Sequence, residues 1–84
     1  MNLSADPIRT IDLHAKNRYQ AKTALDAALK NAGSAYRIRA IHGYHGGTAI
    51  RDLIMEEYAS HPKVIRLVKI SEGVTDLVLR EFNA

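Results

Sequence analysis

At 84 residues, 46% hydrophobic and 25% charged, the chain suits one small folded domain and is too apolar to stay disordered. It has no Cys, so neither disulfides nor a thiolate zinc site staples it, and with no Trp its core must be aliphatic. Twelve Lys and Arg against nine Asp and Glu give a net charge of +3, a mild bias toward polyanions; no apolar run is long enough to span a bilayer and no signal peptide is read, so a cytoplasmic protein with no membrane partner is expected.

Residues 1–8 have little periodicity and read as an N-terminal arm, leaving 9–84 as the domain. Arg9 to His14 alternates as a strand does, with Ile11 and Leu13 on one face and Asp12 and His14 on the other. Ala21, Ala24, Leu25, Ala28, Leu29 and Ala32 then follow the spacing of one helix face. Asn17 with Gln20 three residues later forms a capping-box pattern, and Gly33 suits the left-handed residue beyond the helix end. Tyr36 to Ile41 is a second strand, with Ile38 and Ala40 toward the core and Arg37 and Arg39 on a polar face. A glycine-rich stretch follows, His42-Gly43-Tyr44-His45-Gly46-Gly47, with Thr48 as N-cap of a second helix. That helix has the apolar stripe Ile50, Leu53, Ile54 and Tyr58 and ends at His61-Pro62. Val64 to Ile70 reads as a third strand buried on both faces, Glu72-Gly73 as a turn, and Thr75 to Leu79 as a fourth strand. The fold class is thus α/β: a two-layer sandwich of order β-α-β-α-β-β, a mixed four-stranded sheet with two helices on one face.

This order has a geometric consequence. A strand-helix-strand unit makes its strands parallel through a right-handed crossover, so the first two strands end at the same edge. Asp12 and His14 should therefore meet the loop that begins at His42, at the carboxyl edge where open α/β sheets bind ligands.

Several residue types there fit phosphate chemistry. An Asp beside a His orients the imidazole and favours its charged form; the plainer alternative is a capping Asp and a His bonded to the neighbouring loop. His42, at the break from strand to glycine turn, either satisfies loop carbonyls or donates to a phosphate oxygen. His45, inside the loop, is read as more exposed and less critical. Gly43, Gly46, Gly47 and Thr48 supply a turn into a helix N-terminus, where backbone N–H groups face an anion. Arg51, in the first helical turn, opposes the macrodipole, which hints at an anionic ligand. Lys16 and Arg18 extend a basic rim or simply solvate the first helix, and Tyr44 is a stacking ring for a base or a packing residue. No diagnostic metal spacing is present.

At this point three segments resemble the small MutS-related (Smr) domain family, specifically a stand-alone small member. Ile11-Asp12-Leu13-His14 resembles the family's Leu-Asp-Leu-His-Gly. The His42-Gly43 loop resembles His-Gly-x-Gly-x-Gly followed by a hydrophobic–basic pair, here Ile50-Arg51. Gly73 to Leu79 resembles a terminal Gly-x-Thr-x-Val-x-Leu strand. Two departures stand out: the glycine of the first motif is Ala15, and the second motif carries an extra residue that brings Thr48 to the last glycine. The resemblance implies a fold similar to the C-terminal domain of translation initiation factor three. It also implies nucleic-acid binding and, in several members, endonuclease or nicking activity on DNA or RNA; some members act in recombination control and others at stalled ribosomes.

The resulting expectation is a nucleic-acid-binding domain with endonuclease activity, with Asp12, His14 and His42 catalytic. Gly43, Tyr44, His45, Gly46, Gly47, Thr48, Arg51, Lys16 and Arg18 would bind phosphate. RNA is favoured over DNA, because its 2′-hydroxyl is a nucleophile that histidines can activate with no cofactor; Mg²⁺ at Asp12 is the route if water attacks instead. The alternative is a non-catalytic binding module for structured RNA, the ribosome or branched DNA.

Overall fold

The computed structural model describes residues 7–44 and 47–81. Its elements run β1 (Ile8–Asp12), α1 (Arg18–Lys30), β2 (Arg37–Ile41), α2 (Ala49–Glu57), β3 (Arg66–Ser71) and β4 (Val74–Val78). The sheet order is β1-β2-β4-β3. β1 and β2 are parallel, with Asp12 level with Ile41, and β4 runs antiparallel to both β2 and β3. β1 and β2 thus end at the same edge as expected, and the architecture is the two-layer α/β sandwich of order β-α-β-α-β-β. Most of the expected arm, residues 1–6, lies outside the described residues; Ile8 already belongs to β1.

Both helices pack on one face of the sheet because each has a single apolar stripe. Ala21, Leu25 and Leu29 of α1 join Leu53, Ile54 and Tyr58 in one cluster with Ile38, Ala40 and Leu77 of the sheet. Asn17 closes the capping box, accepting from Gln20 N at 2.7 Å while Gln20 Oε1 accepts from Asn17 N at 3.0 Å. Tyr58 fastens the end of α2 to α1, donating to Asp26 Oδ1 at 2.5 Å; burial first, then that carboxylate, pushes the phenol up.

The uncovered face is held differently. Asp76 is fully buried at the centre of β4, and Arg39 reaches it at 2.8 and 3.0 Å while Arg37 reaches it at 3.0 Å. Burial alone would push this carboxyl up, but the two guanidiniums outweigh it and hold Asp76 below the usual carboxylate value of 3.8.

Four expectations need correcting. β1 ends at Asp12, so His14 sits in the turn that follows and not on the strand. β3 is half-buried at most, with Ile70 43% exposed, because it is an edge strand with helices on one side only; the deeply buried strand is β4. Thr48 precedes α2 but makes no side-chain cap, its hydroxyl donating instead to Asp52 Oδ2 at 2.9 Å. His42, expected as a catalytic group open to a ligand, is buried at 8% exposure.

Candidate nucleic-acid interface

Parallel β1 and β2 deliver their following loops to the same edge, and both helices start there. The first-motif turn is tight: Lys16 N donates to Leu13 O at 3.1 Å, and Ala15 takes φ 67°, a left-handed conformation. This is the position where the family motif carries glycine, which adopts that conformation with no Cβ penalty. The turn aims His14 at the second motif, and a Cβ built on Gly43 would lie 3.6 Å from His14 Cβ.

Within the first motif, His14 Nδ1–H donates to Asp12 Oδ1 at 2.5 Å, and His14 N donates to the same oxygen at 3.1 Å. The ring hydrogen bond first, then the backbone one, lowers the Asp12 carboxyl below 3.8. With Nδ1 engaged, Nε2 is the nitrogen left for a ligand. The pair is solvent-facing, the His14 and Asp12 side chains being 66% and 58% exposed.

The second motif is clamped from below. Gly73 O accepts from His42 N at 2.9 Å and from Gly43 N at 3.0 Å. The turn before β4 therefore seats the loop, and the fit is close: a Cβ on Gly73 would lie 3.1 Å from Gly43 Cα and 3.3 Å from the Tyr44 ring. Gly43 at φ 72° and Gly47 at φ 103° adopt the positive angles that bend the loop toward α2. His42 Nδ1 donates to Gly43 O at 2.9 Å, since a carbonyl can only accept, and Nε2 meets Thr75 Oγ1 at 2.9 Å. Both ring nitrogens are thus occupied by the fold.

Between the motifs lies a cleft of about 560 Å³, lined by His14, Lys16, His42, Gly43, Tyr44 and Ile50 among others. The N-terminal ends of α1 and α2 open onto it through Asn17 and Ala49. Because Thr48 leaves α2 without a side-chain cap, the first-turn N–H groups and the positive end of the macrodipole are offered to an anion. Arg18 does not point into this cleft: it donates to Ala49 O at 3.2 Å and to Glu56 at 3.2 Å, bracing α1 against α2. Arg51 does not line it either and lies on the β3 side of α2. His45 and Gly46 fall outside the described residues. Among the described residues no three His, Asp or Glu side chains gather as a metal cage would require. No helix among them is long and apolar enough to cross a membrane.

β4 supplies parts of the site that the motifs alone do not reveal. The Thr75 hydroxyl holds His42; the signal for it is period-two alternation, which puts Thr75 and Leu77 on the helix side of β4.

The arrangement is that of a small α/β domain whose ligand edge is built from an Asp–His turn, a His–Gly loop and two helix N-termini. No protein-family model matches the chain, and no curated protein does. Among solved structures it is similar to the Smr domain of Thermus thermophilus MutS2, with a TM-score of 0.77 and 26% identity over 87% of this chain and 99% of that one. It is also similar to the solution structure of the SMR domain of NEDD4-binding protein 2, with a TM-score of 0.70 and 19% identity over 100% of this chain and 98% of that one, a likeness that shows the fold alone. The chain thus has the fold of an Smr domain, and these neighbours support the resemblance seen in its three motifs. Smr domains as a class bind nucleic acid.

Proposed function

We propose that this domain binds nucleic acid across the cleft between its two motifs and acts there as an endonuclease on RNA. The observation that carries the reading is the Asp12–His14 pair, with Nε2 of the ring open, at the mouth of a cleft where two helix N-termini converge. A phosphodiester is an anion that needs such donors, and its cleavage needs a positioned base.

In this scheme Asp12 fixes the tautomer, so that His14 Nε2 takes the proton of a ribose 2′-hydroxyl. The 2′-oxygen attacks phosphorus, the P–O5′ bond breaks, and the leaving oxygen takes a proton from water at the open rim. The products are a 2′,3′-cyclic phosphate and a 5′-hydroxyl. The loop N–H groups and Lys16 stabilise charge on the phosphoryl oxygens, and Tyr44, 58% exposed, offers a ring to a base. His42, expected as a second acid–base group, is assigned to shaping the loop, because both its nitrogens are already bonded. Arg18 contributes by bracing the helices and Arg51 from the far side of α2. Gly47 and Thr48 are assigned to phosphate binding at the start of α2, as are His45 and Gly46, which lie outside the described residues.

A second reading is favoured by the exposure of the dyad, which leaves water around the imidazole: a non-catalytic module for structured RNA, the ribosome or branched DNA. Incubation with end-labelled single- and double-stranded RNA and DNA, with and without Mg²⁺, separates the two. Cleavage without Mg²⁺ that leaves cyclic phosphate ends supports the histidine scheme. Cleavage of an RNA lacking the 2′-hydroxyl at the cut site overturns it in favour of water attack, and binding without any cleavage gives the second reading.

A further inference from the structure

The position of Arg51 does not fit a single-cleft account. It lines a separate cleft on the β3 side of α2, with Met55, Leu67, Lys69, Ser71 and Thr75. Its side chain, 42% exposed, has one long polar contact among the described residues, Nη2 to Asp52 at 3.5 Å, and Asp52 is itself engaged by Thr48. Its Nε–H is shielded from solvent and has no acceptor among the described residues. A shielded donor without an acceptor is costly, and a ligand oxygen in this cleft would relieve that cost. Lys69 reaches the same cleft; its bond to Glu72 at 3.1 Å joins side chains two-thirds exposed, a pair that is weak in water and readily exchanged. Ser71 and Thr75 add hydroxyls, and Met55 and Leu67 add an apolar wall.

The cleft is about 430 Å³, within the ~300–1,000 Å³ of small-molecule sites and larger than one ion requires. It also adjoins the first cleft through one hydrogen bond. Thr75 lines this cleft, His42 lines the other, and their side chains meet at 2.9 Å.

We propose that this second cleft is a nucleotide subsite for the same strand, taking its phosphate on Arg51 and Lys69 and its sugar or base against Met55 and Leu67. The strand then crosses the His–Gly loop, with one unit at His14 and Lys16 and a further unit beyond α2. This rests on the nucleic-acid reading above and specifies the path the strand follows.

The test is binding of single-stranded oligoribonucleotides of increasing length to the wild type, Lys69→Ala, Arg51→Ala and Lys16→Ala. Wild-type affinity should climb with length as the second cleft fills. Lys69→Ala and Arg51→Ala should flatten that climb, weaken the longest strand several-fold at low salt, and each lower the slope of log affinity against log salt by about 0.7. Lys16→Ala should weaken every length. Lys69 sits exposed on an edge strand, so its alanine variant keeps the fold. Amide shifts at Ser71 and Thr75 should respond to the long strand and not to the shortest. Length-dependent binding that ignores both Lys69 and Arg51 would overturn the subsite while leaving the nucleic-acid reading intact. A wild type that binds no strand of any length would overturn both.

Discussion

Ala15→Gly is a direct test of how the first motif is built. Ala15 is held at φ 67°, in a turn closed by the Lys16–Leu13 backbone hydrogen bond, between the histidine and the lysine of the proposed site. An L-residue in the left-handed region costs roughly 1–2 kcal/mol. Glycine removes that cost but adds unfolded-state freedom worth about 0.4–1 kcal/mol. Taken near the middle of both ranges, the net gain is about 0.5–1 kcal/mol. With an unfolding entropy of about 2.1 cal/mol/K per residue, an 84-residue chain should gain roughly 3–6 °C in Tm. Ala15→Val is the control, since a β-branched side chain fits this angle worse than alanine does and should lower Tm. Thermal unfolding followed by circular dichroism reads both. A glycine variant no more stable than the wild type, or a valine variant equal to it, would mean that the turn does not hold a left-handed residue.

Gly73→Ala should lower stability by about 1–3 kcal/mol, because the new methyl meets the Gly43 backbone at 3.1 Å in a loop that Gly73 O also holds; an unchanged denaturant midpoint would contradict that close approach. His14→Ala should reduce RNA cleavage by about a hundredfold or more while circular dichroism and Tm stay near wild type, since the ring is exposed; cleavage at the wild-type rate would remove His14 from the mechanism. His42→Ala should lower Tm as well as activity, because it leaves a gap and frees Gly43 O and Thr75 Oγ1; wild-type stability would show that the ring does not hold the loop. Asp76 has a lowered folded pKa, so its contribution is present above the unfolded value of 3.8 and is lost as pH falls through the folded one; Asp76→Asn should cost about 2 kcal/mol near neutrality and flatten the acid limb of a stability–pH profile, and an unaltered limb would mean that the Arg37–Asp76–Arg39 group is not what titrates there.

What could be read from the sequence follows from which forces are local. The stripe of α1, its Asn17–Gln20 cap and the left-handed Gly33 depend on neighbours within a few residues, and each stands where the pattern puts it. The meeting of His14 with the Gly43 loop required only the handedness of one crossover. Features set by strand order were not legible in the same way. Val64 to Ile70 is apolar enough for a central strand, yet only the pairing β2-β4-β3 shows that it lies at an edge. Asp76 sits in an apolar run and gives no local sign of burial; its explanation is the alternation of Arg37 and Arg39 on the strand beside it. The separation of Arg51 from His14 was hidden because residues on one helical turn are close in sequence and can still face opposite sides of the helix.

The place of β4 has a consequence for how the chain is made. It follows all the other described strands in sequence, yet it lies between β2 and β3 and is the one sheet partner of β3 among the described residues. It also carries the buried carboxylate and, with the turn before it, the groups that seat the His–Gly loop. A ribosome-bound chain that has emerged only as far as β3 can pair β1 with β2 and wind its helices, but the middle of its sheet is missing. Closure of the domain and assembly of its ligand edge thus coincide, after the other described strands have emerged, as a single event set off by the emergence of Val74–Val78.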